Sequence, residues 1–247
     1  DEFLASAIPG GPAAVPGVEI SVARADREIH LVGLFIREHC AALEDLLADI
    51  RQHRDERNPM IIERLRGMGY DISIAEVQAV AGGDSIGRPL FAKVLVKKGY
   101  FADANAVFEQ CLKRGAPAYV PRRLPEPATA IAAIHAAGGL AIWAHALHRA
   151  DNEVAEFRRT LEVLIGAGLD GIEAYYPSFT PAQTDLLLKA AQQHQLAISG
   201  GTDYHGANQP DLELDRGHGG MAIPDRIYLD LLARWTHDHP GANQPLA

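Results

Sequence analysis

From residue 127 onward the chain alternates regularly between two kinds of segment, and that alternation leaves few folds open. Residues 128–137 carry a helical pattern stopped at Gly138-Gly139, LAIWAH (140–145) reads as a strand, 154–167 as a helix, GIEAYY (171–176) as a strand, 181–194 as a helix and LAISGGTD (196–203) as a strand. Apolar residues at every third or fourth position mark a helix with one buried stripe, whereas a short run that is apolar throughout marks a strand buried on both faces. Strands of that kind alternating with helices specify a parallel α/β sheet or barrel. In such folds polar residues at the C-terminal strand ends form the site. Those ends supply His145, Glu173, Asp203 and, two residues on, His205.

A second constraint comes from residues 16–33, PGVEISVARADREIHLVG, which read as two strands joined by a short turn. Val18, Ile20 and Val22 alternate with Glu19 and Ser21, and the return run 29–36 is apolar enough to be buried on both faces. A turn at Arg24 and Ala25 sets Glu19 directly opposite His30, a register two residues further on leaves them diagonal neighbours on one face, and a one-residue slip separates them. A surface Glu with an incidental His is the plainer alternative. Both residues nevertheless sit in otherwise apolar strands, where a charge is costly to bury unless it is paired or bound to a metal.

The remainder is mostly helical. Residues 1–7 suggest a frayed helix and 8–16 (IPGGPAAVP) a loop. Leu43, Leu46, Leu47 and Ile50 space out one helix, and beyond Asn58-Pro59 a second helix runs through Ile61, Ile62 and Leu65, with Pro59 suited to its first turn. Further helices are expected at 72–80, at 90–98 before Gly99, and at 104–113 before Gly115, with a loop at 81–89. The expected organisation is therefore an α/β domain of residues 1–40 and 120–247 interrupted by a helical insertion of residues 41–119.

Composition narrows the function. A 247-residue chain with 47% hydrophobic and 22% charged residues is an ordinary soluble globular protein. It has no apolar run approaching the ~20 residues of a membrane span and no signal-peptide pattern, so a cytoplasmic place is expected, without membrane partners. The net charge of −9 argues against sequence-blind binding of duplex DNA and leaves room for a local basic pocket for a phosphorylated ligand. Cys40 and Cys111 lie far apart in helical contexts and read as inert thiols.

Glu19, His30, His145, Asp203 and His205 make a nitrogen and oxygen donor set without thiolates, suited to Zn, Mn or Fe. A carboxylate among them can bridge two ions ~3.5–4 Å apart, an arrangement that activates water against a phosphate ester. Each residue alone has a structural reading, Asp203 as a helix cap for example. An A-H at one strand end and a D-x-H at another would have to coincide by accident.

The stretches PGVEIS with REIHLVG, GGLAIWAH, GLDGIEAYYPSFTPAQ and GGTDYHGANQPDLELDRG together resemble the PHP (polymerase and histidinol phosphatase) superfamily, specifically its stand-alone metal-dependent phosphoesterase branch. The resemblance implies a distorted (β/α)7 barrel, N-terminally incomplete here, with a substrate-capping helical insertion. It implies that Glu19 bridges two metals, that His30 and His145 complete one site, and that Asp203 and His205 serve the others, up to three divalent ions (Mn, Fe or Zn) in the complete family site and fewer here. The catalytic residues it implies are Glu19, His145, Asp203 and His205, with an activated water attacking phosphorus in line and His205 protonating the leaving group.

Arg88 in GRPLFA (87–92) resembles the family's phosphate-contacting arginine, and Arg54 and Arg57 in HRDER (53–57) its other basic contacts. A solvated helix face, balancing Asp55 and Glu56, is the alternative for the last two. The implied substrate is a small phosphorylated molecule, either a nucleoside 3′,5′-bisphosphate or short RNA degraded from its 5′ end, handled by a monomer or weak oligomer.

Some positions depart from the family pattern. The H-x-H and T-D-H-D motifs of the family's first two strands are absent, so the chain is expected to be either truncated or a degenerate member. Ala146 replaces the Pro of A-H-P, and Leu90 a His of the insertion. These departures keep open a catalytically inactive module acting in binding or regulation. Histidinol-phosphate phosphatase fits less well, because the insertion and the GANQPDLELDRG segment resemble the nucleotide-directed branch. His148, His194, His218, His237 and His239 read as loop, tail or surface residues, and Glu173 either as a support for the metals or as a plain strand end.

Overall fold

The computed structural model describes residues 14–25, 27–81, 86–147, 154–206, 211–214, 216–218 and 220–240. The expectations for residues 1–13, for His148, for positions 82–85 of the 81–89 loop and for the tail beyond residue 240 lie outside the described residues. The chain divides into two compact units, one formed by the described residues up to Glu44 together with those from Pro125 on, the other Asp45–Leu124.

The first unit is a five-stranded sheet in the order β1-β2-β3-β4-β5, with β1 Gly17–Arg24, β2 Arg27–Leu34, β3 Leu140–Ala144, β4 Gly171–Tyr175 and β5 Ala197–Gly200. β2 runs antiparallel to both β1 and β3, and β3, β4 and β5 are parallel to one another. The sheet is thus mixed, and the crossovers of its parallel half are the helices read from the sequence. The hairpin adopts the second of the two favourable registers, Ser21↔His30 and Glu19↔Val32. The reason is a turn one position later than Arg24-Ala25: Arg24 still pairs with Arg27, and Ala25 takes a left-handed φ of 53°. Glu19 and His30 become diagonal neighbours on one face.

Helices cover this sheet because their apolar stripes find it. α5 (Pro127–Ala136) packs on β1, β2 and β3. α6 (Val154–Gly166) buries Phe157, Leu161 and Leu164, and the Phe157 ring stacks on Trp143 of β3 at 5.4 Å. α7 (Pro181–His194), packed on β4, opens with Pro181 behind a Thr180–Gln183 capping box, which occupies amide groups that a helix start otherwise leaves unbonded. α8 (Arg226–Asp238) packs on β5; its Trp235 stacks on Phe35 and donates its indole N–H to Gly138 O at 2.7 Å.

The Asp45–Leu124 unit has its own core of Ile61, Leu65, Ile72, Phe91, Leu95, Cys111 and Leu112. Two sequence expectations fail here. Residues 41–67 are not two helices but one, α1 (Ala41–Gly67), with Pro59 inside it. An interior proline costs ~3 kcal/mol, and burial of the apolar Ile61, Ile62 and Leu65 just beyond it outweighs that cost. After α2 (Ile74–Ala81) and α3 (Arg88–Lys97), the segment expected as one α-helix over 104–113 is a short α4 (Ala104–Val107) that widens into a π-helical stretch, Phe108–Leu112. The wider turn brings the adjacent Cys111 and Leu112 both into the core. Both cysteines are free thiols, Cys111 buried.

Candidate metal centre

Three strands converge on one point. Glu19 comes from β1, His30 from β2 and His145 from the position after β3. Because His30 pairs with Ala144 across the β2–β3 ladder, their side chains share a face, and strict alternation would send His145 to the other. His145 instead takes a left-handed φ of 32°, which breaks the alternation and turns its ring back towards the other two. Glu19 Oε1 then lies 2.6 Å from His30 Nδ1 and 3.3 Å from His145 Nε2, and the two ring nitrogens are 3.1 Å apart with their rings edge to face.

These donors fit a first-row divalent ion. With bonds of ~2.1 Å, the edges of a tetrahedral or octahedral coordination sphere are ~3.0–3.4 Å, the range of two of the three separations. Only the Glu19–His30 contact must open. Among the described residues these three are the group of ligand atoms brought mutually within 4.8 Å.

The charges are arranged to match. Burial alone would push the Glu19 carboxyl up, but hydrogen bonds from His145 and His30, with their positive charge, hold it well below the usual carboxylate range. Burial pulls His30 down, yet Glu19 and Glu28 outweigh it and raise the imidazole to about 9. A cation entering this site takes the place of that proton.

Asp203 and His205 form a separate pair, with His205 Nε2 3.2 Å from Asp203 Oδ1. Tyr176 links it to the triad: its hydroxyl donates to Asp203 Oδ2 at 3.1 Å, and its ring centroid is 5.7 Å from that of His145. Burial and then the Asp203 charge keep the Tyr176 phenol protonated far above its ordinary range. Glu173 is half-buried beside His145, where desolvation raises it to about 8 against the hydrogen bond it accepts from the backbone N–H of His145, at 2.6 Å.

Sequence reasoning missed Tyr176, whose role rests on contacts across strands and leaves no local signal. Glu28, 3.3 Å from His30 Nε2, was legible in the E-I-H triplet and was also missed.

The three arginines lie in the other unit. Arg88 donates to Leu112 O at 3.0 Å and sits over the rings of Tyr119 and Phe108, at 5.3 and 6.0 Å. Arg54 is half-buried and Arg57 only 4% exposed, so a solvated helix-face charge does not describe Arg57. Leu90 packs at the edge of that unit's core. Of the residues read as incidental, His218 and His239 donate to Asp211 O and Trp235 O, His194 lies 3.9 Å from Glu162, and His237 falls inside α8, which runs past Trp235 to Asp238.

Comparison with known proteins supplies the family. The 3′,5′-nucleoside bisphosphate phosphatase of Chromobacterium violaceum is 31% identical over 241 residues, covering 94% of this chain and 82% of that protein. The chain belongs to the PHP-type metal-dependent phosphoesterases. The 5′-3′ exoribonuclease Rnm of Salmonella typhimurium is 34% identical over 191 residues, 77% of this chain; the chain spans 65% of that relative's length. Among solved structures, an amidohydrolase from Chromobacterium violaceum with bound sulfate and no metal superimposes with a TM-score of 0.79 at 29% identity, over 94% of this chain and 81% of its own. A metal-dependent phosphoesterase from Bifidobacterium adolescentis gives 0.75 at 28%, over 89% and 76%. No family model matches the chain. The PHP-type fold is thus shared with the solved relatives, and the α/β class is the one read from the helix–strand alternation.

Proposed function

We propose that this chain hydrolyses a phosphate ester on a small phosphorylated nucleotide, either a nucleoside 3′,5′-bisphosphate or the 5′ end of a short RNA. The observation that carries the reading is the convergence of Glu19, His30 and His145 from three strands. The names of the relatives, a bisphosphate phosphatase and an exoribonuclease, supply the substrate class.

In this reading Glu19, His30 and His145 hold a divalent metal, Mn, Fe or Zn by their donor chemistry. When bound, the metal supplies Lewis-acid charge for the phosphoryl oxygens and acidifies a water. Asp203 extends the carboxylate set on the far side of Tyr176 and fixes the imidazole of His205, which is half exposed and delivers a proton to the leaving oxygen. Arg54, Arg57 and Arg88 are proposed as phosphate contacts on the resemblance alone; a guanidinium fork can pair two phosphate oxygens. Residues 1–40 with 120–247 as the metal-binding domain and 41–119 as the substrate-capping insertion belong to the same proposal.

The test is phosphate release from a nucleoside 3′,5′-bisphosphate, set beside mononucleotide release from a 5′-phosphorylated oligoribonucleotide, with manganese(II) and with a chelator. Chelator-sensitive turnover of either supports the reading and selects the substrate. Metal-loaded protein that turns over neither sinks it, in favour of a binding module.

A further inference from the structure

Glu173 makes a pair of contacts that no ligand role accounts for. It lies inside β4, and its Oε2 accepts the N–H of His145. Its other oxygen faces Gly201, where a Cβ would come within 2.9 Å of Oε1. Gly201 stands between the end of β5 and Asp203. One carboxyl group is therefore wedged between the two strand ends that lead to His145 and to Asp203.

The sheet does not supply these constraints itself. β3 and β4 pair through Ile142↔Gly171 and Trp143↔Ile172, so the N–H of His145 lies beyond the paired residues. A non-glycine residue with a left-handed φ persists only where its surroundings over-determine it. The short hydrogen bond to Glu173 is such a determinant, and it acts on the one backbone torsion that turns the imidazole towards Glu19 and His30.

We propose that Glu173 is a positioning residue: it locks the backbone of His145 and, through its contact with Gly201, spaces His145 from Asp203. This rests on the reading of Glu19, His30 and His145 as metal ligands. Glu173 acts through His145 rather than on the metal, so what it needs is an acceptor atom of the right reach.

The experiment titrates manganese(II) into the wild-type chain and into Glu173→Ala, Glu173→Gln, Gly201→Ala and the double variant Glu173→Ala with Gly201→Ala, and follows the His145 amide by NMR without metal. Glu173→Ala should weaken metal binding by ~10–100-fold, the range for groups that orient a ligand. Glu173→Gln, which keeps a carbonyl acceptor, should restore most of the affinity. Gly201→Ala should weaken binding by displacing the carboxyl group, and should add little once Glu173 is alanine. The His145 amide proton should be far downfield in the wild type, shift upfield in Glu173→Ala and hold its place in Glu173→Gln.

Wild-type protein that binds no manganese removes the ligand reading, while the amide resonance still decides what Glu173 does. An unmoved amide and unchanged affinity in Glu173→Ala overturn the proposal. If that variant does not fold, the same result in Gly201→Ala overturns it. A glutamine variant as weak as the alanine one overturns it too, because charge and not the acceptor would then matter.

Discussion

The two ends of the β3–β4 pair use one device for opposite purposes. At the start of β3, Asp170 accepts the backbone N–H of Ala141 at 2.7 Å and lies 2.7 Å from His135 Nε2. At the finish, Glu173 accepts the N–H of His145 at 2.6 Å. Each is a carboxyl group on or beside β4 holding an amide of the neighbouring segment. At the first end the histidine is the carboxylate's own partner, the pair is closed, and the result is a tie between α5 and β4. At the second the carboxyl group takes only the backbone, and the imidazole is turned to meet Glu19 and His30 at the cost of a left-handed φ. Saturating a strand end builds stability, and leaving its side chain unspent builds a site.

The largest effect should come from taking the imidazole away while relieving the backbone. His145→Gly should lower manganese affinity by at least ~100-fold, as expected for a lost ligand, and stabilise the metal-free chain by ~1 kcal/mol, since glycine adopts φ of 32° without strain. Metal titration and urea unfolding on one sample read both. A metal-free protein that becomes less stable would contradict the view of this end as strained.

The mirror experiment is Asp170→Ala. It leaves the Ala141 N–H without its acceptor and His135 without its partner, and should cost ~1–3 kcal/mol in urea unfolding with unchanged metal affinity. An altered metal affinity would show that the two ends are coupled.

Arg88→Ala asks whether the arginines of the other unit also hold structure. Losing the bond to Leu112 O and the contacts over Tyr119 and Phe108 should cost ~1–2 kcal/mol in addition to any effect on substrate. Arg88→Lys should recover little of it, because an ammonium lacks the planar face that lies over the rings.

The smallest effect is a pH dependence at the closed end. The Asp170 hydrogen bond raises His135 above its ordinary 6.5, against partial burial. The stability it contributes is therefore complete below pH 6.5 and fades as the pH rises through the folded value. His135 is 41% exposed and screened by solvent, so the contribution is ~0.5 kcal/mol. Unfolding curves on either side of that range should differ for the wild type, and the difference should shrink in His135→Gln; a slope of the opposite sign contradicts the assignment.

The parallel half of the fold was legible because its helices and strands are long enough for periodicity to decide. The hairpin was legible up to its register, which hung on where the turn begins, at Ala25 rather than Arg24. Glu19, His30 and His145 could be named from motif and strand position. Their grouping in one site was an expectation of the resemblance; the geometry that achieves it had no signal, since it depends on one backbone torsion at His145 and on a carboxyl group from another strand. Pro59 misled because local cost pointed to a break while the burial of Ile61, Ile62 and Leu65 beyond it carried the helix through. The π-helical stretch and Tyr176 have no local signature at all: each exists because of what packs against it.

In this reading three side chains from three strands form one metal site. The most direct test is manganese titration, with elemental analysis of the protein as purified, on the wild type and on Glu19→Gln, His30→Gln and His145→Gln. A stoichiometric divalent ion on the wild type, weakened by each of the three substitutions alone, is the predicted result. Wild-type protein holding only a trace of metal, or variants that bind as tightly as the wild type, would contradict it.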